Sequence, residues 1–568
     1  MSGAPPSARY RLDPSLLLFG GIAAGLAVLV AMPIGWLGWF SITDSAGDLS
    51  LGAFARLLSD PAMRKPLAIT LAIALGAALL SCLVAIPLAW LVARTDVPLR
   101  RVIRALVTAS FVTPPFLGAV AWELLAAPNS GMLNQLARAW FGLGEFEYVV
   151  DIYTAEGVTF CIACYTFPYV FTLLANALEN IPADIEDASH ILGGTTWATA
   201  LRITLPLILP AILAGALVCF LQALTIFGTP AILALPAGFH TLTTKIWSLF
   251  QYPPQTNLAA AAAMPLLLIT LLVLHLQRRL LGRRGFTVIG AKNTPPRLIR
   301  LGACRLPALA LCLLIMLNPV FLPYFALIKA AITHRISDPL SLETLSLRHL
   351  RFILWDFSGT RPAMINTLIL GFSAATIVTA AALVVGYLSS RQLVPGARFL
   401  PALAMAPIAV PGIVMGVGLF LVYSRPPFLL YGTLWILVIA FVTLEMPAGF
   451  QQVQAAMRGL HVELEEAARI FGATRLVALR QITAPLLRTS IIATWSIVFI
   501  AVIRELSATI LLTTSETKVI SVVIYDLNES GELGAIAVLG LFLLLVTFAV
   551  ILLVNRLPIL GGPARGRI

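Results

Sequence analysis

The stretch that sets the architecture of this chain reads Glu465-Glu466-Ala467-Ala468-Arg469-Ile470-Phe471-Gly472 and is followed by Ile482-Thr483-Ala484-Pro485. An earlier stretch reads Ile185-Glu186-Asp187-Ala188-Ser189-His190-Ile191-Leu192-Gly193 and is followed by Ile203-Thr204-Leu205-Pro206. In both, an acidic residue precedes a glycine by six positions, and the glycine precedes an isoleucine by ten. A proline follows that isoleucine three positions later in each case. The shared spacing predicts a unit that occurs twice in the chain.

Each stretch predicts a short helix, a glycine turn and a second helix. Acidic residues at the start of a helix interact favourably with its dipole. Alanines let another surface approach closely, and glycine ends a helix because it tolerates a positive φ. The proline marks the entry into the next apolar segment. An amphipathic segment lying on lipid headgroups explains these stretches poorly, because anionic headgroups favour Lys and Arg.

The segments around these stretches are strongly apolar. Of the 568 residues, 59% are hydrophobic and 11% are charged, and the mean hydropathy is +0.94. Runs long enough to cross about 30 Å of hydrocarbon predict an all-α polytopic membrane protein embedded in a lipid bilayer. Twelve candidate spans lie near residues 15–40, 67–93, 105–126, 158–176, 207–235, 257–277, 307–330, 365–388, 399–423, 428–453, 489–512 and 533–555.

The distribution of basic residues predicts the orientation in the membrane. Lys and Arg are concentrated in the segments on the side of the N-terminus, which is the pattern of cytoplasmic segments. Both termini are therefore predicted to be cytoplasmic, in the plasma (inner) membrane. The formal charge of +12 fits this asymmetry, and no basic run is interleaved with aromatic residues as a nucleic-acid site requires.

An internal repeat divides the chain into two halves. The repeat-related pairs, at a shift of 297 and then 279 residues, are Thr70 with Thr367, Arg94 with Arg391, Pro98 with Pro395, Pro114 with Pro411, Pro168 with Pro447, Ala188 with Ala467, Gly193 with Gly472, Ile203 with Ile482 and Pro206 with Pro485. The shift changes because the first half has a longer loop at 128–157. We predict six-span halves at 1–285 and 307–568, joined by a basic cytoplasmic linker at 286–306, with the halves in parallel orientation.

Several activities find no support in the sequence. No P-loop pattern of the form G-x-x-x-x-G-K-[ST] occurs, so the chain is not expected to be an ATPase or another enzyme. Cys161 and Cys164 form a C-x-x-C within an apolar run, without a second pair or a nearby histidine. We therefore expect no metal site and no cofactor.

The duplicated loop resembles the Glu-Ala-Ala loop of binding-protein-dependent ABC importer permeases, in a fused two-half form. In that family the loop is a coupling helix that docks on a cytoplasmic ATPase. The resemblance implies two ATPase subunits, an external solute-binding protein and alternating access. It places the coupling loops at Glu186, Asp187, Ala188, Gly193, Pro206, Glu465, Glu466, Ala467, Ala468, Gly472 and Pro485. The first loop departs from the pattern, with Asp187 for Glu and Ser189 for the second Ala, which implies unequal contacts with the two ATPase subunits.

Three further segments, 227–231, 242–246 and 504–509, resemble ferric-iron permeases most. The thiamine and aminophosphonate permeases share the same layout, so thiamine and an organophosphonate stay as alternative solutes. Within this family, substrate selection lies mostly with the binding protein. The permease sequence is therefore expected to say little about the solute.

The translocation path is predicted at Pro114, Gly228, Pro230, Pro411 and Glu505. The prolines and the glycine either break helices along the path or form plain kinks. Glu505 either meets a cationic solute or forms part of a gate, or it belongs to a structural ion pair or snorkels near the interface. A secondary transporter driven by an ion gradient is the rival class, and it predicts a chain of intramembrane acids that this sequence lacks.

Overall fold

The computed structural model of the chain describes residues 14–44, 46–281, 298–392 and 397–556, which fold into helices joined by turns and short loops. Residues 286–297 of the predicted linker 286–306 lie outside the described residues. The predicted boundary at residue 285 lies outside them too. The described end of the linker is tied to the first half, since the amide of Ile299 donates to the carbonyl of Arg94 at 2.8 Å.

The first half contains thirteen α-helices within its described residues. They are α1 Pro14–Ser41, α2 Gly52–Ser59, α3 Pro61–Arg94, α4 Arg100–Val112, α5 Pro115–Ala126, α6 Met132–Phe141, α7 Ala155–Glu179, α8 Ala183–Ile191, α9 Thr196–Thr199, α10 Leu205–Thr225, α11 Gly228–Leu233, α12 Leu242–Ser248 and α13 Thr256–Leu281.

The second half follows the same plan, with fourteen α-helices in its described part. They are α14 Arg305–Met316, α15 Leu322–Ile332, α16 Arg348–Arg351, α17 Thr360–Arg391, α18 Leu400–Met405, α19 Gly412–Tyr423, α20 Leu434–Met457, α21 Glu463–Ile470, α22 Arg475–Ala478, α23 Ala484–Leu486, α24 Arg488–Ile503, α25 Thr509–Leu512, α26 Ile520–Glu529 and α27 Leu533–Arg556.

The number of spans matches the sequence prediction once bent helices are considered. Among the described residues, nine helices are long and apolar enough to cross a membrane, or up to twelve if each of three bent pairs is one span. The chain is thus an all-α polytopic protein. Four predicted spans are not continuous. The spans 105–126 and 399–423 bend by 99° and 103°, and the spans 207–235 and 489–512 are interrupted after Thr225 and Ile503.

Proline causes both of these bends. The breaks fall at Pro114 and Pro411, which have extended backbone with ψ of 130° and 145°. Proline has no amide hydrogen for the helical ladder, and it pushes the residue before it out of the helical region. The helix breaks predicted at Pro114 and Pro411 are therefore present, at repeat-related positions.

The two halves interlock through their first helices. In the first half α3, α7 and α10 pack together, and in the second half α17, α20 and α24 do the same. Helix α1 packs on α13 of its own half and on α19 of the other. Helix α15 of the second half packs in the equivalent way, on α27 of its own half and on α5 of the first half. A large core contains residues of both halves, and two smaller cores each consist mainly of residues from one half.

Candidate functional site

Both acid-led stretches form the predicted short helices, and we call α8 and α21 the loop helices. They end at Gly193 and Gly472, whose φ values are +84° and +89°. Beyond each glycine, a backbone amide returns to a loop-helix carbonyl: residue 194 to 189 at 2.8 Å and residue 473 to 468 at 3.1 Å. The positive φ predicted for both glycines is thus present, and it closes the end of each loop helix.

The loops then lead into the next spans through a feature that the sequence did not predict. Residues 200–204 and 479–483, which are repeat-related, each form a single π-helical turn. Pro206 follows in the first turn of α10, and Pro485 lies in the short helix α23. Single π turns within helices frequently occur at functional sites. Here they turn one threonine of each half toward its loop helix.

Each loop helix is tied to the bundle by a group of three side chains, which we call an anchor cluster. The first anchor cluster consists of Arg94, Glu186 and Thr204, and the second consists of Arg391, Glu465 and Thr483. The members are related by the same shifts of 297 and 279 residues that define the repeat. The structure thus brings together residues that lie up to 110 positions apart in the first half, from Arg94 to Thr204.

The second anchor cluster has bidentate geometry. Arg391 donates from Nε to Glu465 Oε2 at 3.2 Å and from Nη2 to Oε1 at 3.0 Å. The Thr483 hydroxyl donates to Glu465 Oε1 at 2.8 Å. Two parallel bonds between a guanidinium and a carboxylate fix direction as well as distance. The end of α17, the loop helix α21 and the following π turn are therefore held as one unit.

The first anchor cluster has the same partners. Arg94 forms an ion pair with Glu186, and the Thr204 hydroxyl donates to Glu186 Oε1 at 3.0 Å. Arg94 Nη1 also donates to the carbonyl of Leu178 at 3.1 Å. The Arg94 side chain is 0% exposed and that of Glu186 is 12% exposed. Because a buried charge without a partner is strongly destabilising, each member requires the other two elements in place.

This geometry separates the acidic residues that the sequence had grouped together. Glu186 and Glu465 turn inward to arginines, whereas Glu466 is exposed. The arginines and threonines of the anchor clusters were not predicted as site residues. The signal for them was present, because the repeat aligns Arg94 with Arg391, and both threonines lie within the quoted motifs.

The tips of the loop helices expose large apolar side chains. Ile191 and Leu192 are 85% and 87% exposed, and Ile470 and Phe471 are 83% and 93% exposed. Ala188 and Ala467, two of the predicted alanines, are exposed on the loop helices, and Ala468 is half-buried. Acidic residues such as Glu466 lie beside these exposed apolar side chains. Each half presents one such surface.

The predicted path residues lie where the spans break. Helix α10 ends at Thr225, and α11 begins at Gly228, with Pro230 buried within it. The repeat-related break follows α24 in the second half. Thr243 donates to the carbonyl of Ile226 at 3.0 Å, and its second-half counterpart, Ser521, donates to the carbonyl of Glu505 at 2.9 Å. The two breaks therefore share one construction.

Glu505 is engaged within its own break. Its carboxylate accepts from the amide of Ser507 at 3.0 Å, from the amide of Ala508 at 3.2 Å and from the hydroxyl of Thr509 at 3.0 Å. A carboxylate in this position satisfies amides at the start of α25, which have no helical partners. These contacts are those of a helix cap, which neither sequence interpretation of Glu505 had given.

Arg504 joins the two halves instead of pairing with Glu505. Its Nη1 donates to the carbonyl of Phe111 at 2.6 Å, and its guanidinium lies 5.5 Å from the centre of the Phe111 ring. Phe111 belongs to α4 of the first half. The charge of Arg504 is therefore stabilised by a backbone dipole and an aromatic face across the interface between the halves.

Gly228 lies where the two halves approach each other closely. A Cβ at this position would meet Phe116 Cβ at 2.6 Å and Leu506 Cδ2, from the second half, at 3.2 Å. We expect Gly228→Ala to destabilise the protein by about 1–3 kcal/mol, because overpacking forces neighbours to move. The measurement is the thermal midpoint in detergent. Gly25→Ala is the control, since nothing lies within 4 Å of that Cβ, and an equal midpoint for both variants would contradict the expectation.

A polar contact closes the interface at the end opposite the loop helices. Glu123 accepts from the hydroxyl of Tyr153 and from Nδ2 of Asn528, both at 2.8 Å. Tyr153 directly precedes α7, whose other end reaches the first loop. Asn528 belongs to the second half, so Glu123 connects the halves.

Three aromatic side chains fill the same interface. Phe227 and Trp247 of the first half lie 6.2 and 5.7 Å from Tyr525 of the second half, measured between ring centres. Aromatic pairs at these separations attract each other beyond simple burial. We call these aromatics, together with Glu123 and Asn528, the seal.

The described part of the chain contains no cluster of candidate metal ligands. No set of three or more His, Cys, Asp or Glu side chains there is placed to hold a metal ion. The cysteines Cys161 and Cys164 are buried within α7.

The fold and the duplicated loops define a two-half helical membrane protein with one loop helix and one exposed apolar tip in each half. A family model described as the binding-protein-dependent transport system inner membrane component matches residues 85–285 and again residues 380–558. The chain belongs to this family, and one match in each half gives it the fused two-half architecture. The resemblance stated from the duplicated loops is thereby confirmed.

The relatives differ in the solute that their names give. The chain is 27% identical to the ferric transport system permease protein FbpB of Actinobacillus pleuropneumoniae over 78% of its length. That alignment covers 63% of the relative, less than two thirds of its length. Identity to the Fe(3+)-transport system permease protein FbpB 2 of Haemophilus influenzae is 24%, over 69% of this chain and 74% of that one. Identity to the molybdenum transport system permease protein ModB of Haemophilus influenzae is 32%, over 36% of this chain and 89% of that one.

Proposed function

We propose that this chain is the membrane-spanning permease of an ATP-driven importer. One ATPase subunit docks on each loop helix, and an external solute-binding protein docks at the opposite end of the bundle. The observation that carries the proposal is the pair of loop helices. Each is anchored from inside by an arginine whose side chain is at most 10% exposed, and each exposes large apolar side chains at its tip.

Both loop helices lie on one side of the membrane in this proposal. Six spans separate them when each bent pair is counted as one span, and an even number of crossings returns the chain to the same side. The concentration of Lys and Arg on that side supports a cytoplasmic location for the loops and for both termini. The chain has no P-loop pattern, so ATP hydrolysis is assigned to the separate docking subunits.

Transport follows an alternating-access cycle. Closure of the two ATPase subunits on ATP moves the loop helices relative to each other, and the anchor clusters carry that movement into the spans. The halves then separate at the seal, and the solute enters from the binding protein. The prolines at 114 and 411 leave short helical segments that turn within the membrane, and irregular backbone at that depth is stable only when buried in protein or lining a cavity.

Ferric iron is the solute that we propose. Similarity to two iron permeases over most of the chain supports it, and the segments 227–231 and 504–509 had suggested it. The described residues offer no set of metal ligands, so selection for iron is assigned to the binding protein. Molybdate is the second candidate, because the relative named for molybdenum is 32% identical over 36% of this chain.

Uptake of labelled solute in cells with and without this chain tests the assignment. We expect deletion of the chain to abolish uptake of labelled ferric iron, and the wild-type chain to restore it. The variant with Glu466→Arg and Gly472→Pro is expected not to restore uptake, since proline excludes the φ of +89° at position 472. Parallel arms measure molybdate, thiamine and an organophosphonate. Unchanged iron uptake with a defect in another arm would replace iron by that solute.

The rival class is tested in the same cells. A secondary transporter would keep taking up solute when the ATPase is lost and would stop on addition of an uncoupler. We expect the opposite pattern, in which loss of the ATPase alone stops uptake.

A further inference from the structure

Two long helices run from the anchor clusters to the breaks near the other end of the bundle. Helix α3 carries Thr70 near its start and Arg94 at its end, and α17 carries Thr367 and Arg391 at the matching places. The two residues are 24 positions apart in each half. At 1.5 Å per residue this separation is about 36 Å along either helix.

At the far end, each of these helices binds the segment that follows a break. The Thr70 hydroxyl accepts from the amide of Leu242 at 2.7 Å, and the Thr367 hydroxyl accepts from the amide of Ile520 at 2.9 Å. Both threonines are buried. The residues next to these amides, Thr243 and Ser521, are those that donate to the carbonyls of the breaks. A movement of either helix along its axis therefore reaches the break of its own half.

At the near end, the same helices hold the loop helices through charge. Arg391 has both Nε and Nη2 on Glu465, and the ion pair is almost fully buried, with side-chain exposures of 10% and 7%. A bidentate pair resists sliding because both bonds must break together. An apolar contact of the same volume would hold the elements together without fixing their direction.

We propose that α3 and α17, which we call the rods, transmit movement of the loop helices to the breaks about 36 Å away. Arg94 with Glu186 and Arg391 with Glu465 are the positioning residues that couple each loop helix to its rod. This inference rests on the proposed ATP-driven function. The four residues touch neither ATP nor solute. They set how much of a displacement at the loop helix reaches the break of the same half. Because of the duplication, each half has one rod.

Replacing a buried ion pair by apolar residues of similar volume separates this role from a structural one, because such replacements are often neutral or stabilising. The test variants are Arg391→Met/Glu465→Leu and Arg94→Met/Glu186→Leu. The matched control is Arg104→Met/Glu179→Leu. That ion pair joins the start of α4 to the end of α7 at the same end of the bundle, and it includes no loop-helix residue.

The experiment uses the full chain with its ATPase and binding protein in proteoliposomes, with ferric iron as the probe. We expect both test variants to fold with thermal midpoints near that of the wild type and to support ATP hydrolysis. Their uptake per ATP hydrolysed is expected to fall about tenfold or more, the size of a typical coupling between distant sites. The control variant is expected to keep the wild-type ratio.

Wild-type uptake per ATP in the test variants would overturn the proposal, and so would a proportional loss of hydrolysis and uptake. If the wild-type chain itself imports no iron, the proposed function fails separately. The rods are then tested by amide hydrogen exchange on the purified chain. Faster exchange at residues 505–521 in Arg391→Met/Glu465→Leu is expected, and unchanged exchange there would overturn the inference.

Discussion

Replacing Leu192 and Phe471 by aspartate is expected to reduce ATP-driven uptake to background while the chain still inserts and folds. Leu192 is 87% exposed and Phe471 is 93% exposed at the tips of the two loop helices. Neither side chain supports the fold of the chain itself. Their removal therefore acts on the docked complex, which in our proposal includes one ATPase subunit on each tip.

The size of the effect follows from burial at the docking surface. Fully burying a Leu or Phe side chain stabilises an interface by about 1.5–3 kcal/mol. Each tip therefore loses about 1.5–3 kcal/mol toward its own subunit, which corresponds to a roughly tenfold to hundredfold loss of affinity at each contact. The aspartates add the cost of placing a carboxylate in an apolar groove. Co-purification of the ATPase and uptake of labelled solute measure the result.

Leu342→Asp is the matched control for these substitutions. Leu342 is 90% exposed but lies in the loop after α15, at the end opposite the loop helices. It is expected to retain the ATPase through purification. Full retention of the ATPase and of uptake by the Leu192→Asp/Phe471→Asp variant would contradict the assignment of the tips as docking surfaces.

Hydrophobic length and the repeat were sufficient to predict the architecture. Apolar runs long enough for a bilayer can be recognised without tertiary information, because lipid imposes the same length on every span. The prolines at 114 and 411 also marked true breaks, since proline removes an amide from the helical ladder wherever it lies. The angles of about 100° at these breaks depend on packing between helices and could not be predicted.

The anchor clusters show where sequence reasoning stops. An acid at the start of a helix looks the same whether it turns outward or inward, so Glu465 and Glu466 were grouped together. The orientation of the Glu465 side chain depends on Arg391, which is 74 positions away in sequence. It also depends on a π turn that hydrophobic periodicity does not predict. The repeat alignment did pair Arg94 with Arg391. Buried charge at two repeat-related positions is a signal that can be sought in other duplicated chains.

Glu505 is a second residue whose surroundings the sequence did not predict. Its position in an apolar run suggested a role toward the solute, because ionisable groups at membrane depth are costly and often functional. The chain breaks just before it, and the freed amides of residues 507 and 508 bind its carboxylate. The sequence had placed Glu505 within one continuous span at 489–512, so neither the break nor the local hydrogen bonds that follow from it were predicted.

Cross-linking the seal is expected to abolish transport, and reduction of the cross-link is expected to restore it. The variant carries Glu123→Cys and Asn528→Cys in a Cys304→Ser background, since Cys304 is an exposed native cysteine. A short bis-methanethiosulfonate reagent then joins α5 of the first half to α26 of the second. In our proposal solute passes between the halves, so a covalent tie at this point is expected to prevent the seal from opening.

The control joins two residues within one half. Glu123→Cys with Tyr153→Cys replaces the other hydrogen bond of Glu123, which has the same 2.8 Å length. Cross-linking this pair leaves the halves free to separate, so uptake is expected to continue. Uptake at the wild-type rate by the chain cross-linked between Glu123→Cys and Asn528→Cys would show that the halves need not part here. Solute would then have to cross the bundle by a route that avoids Phe227, Trp247 and Tyr525.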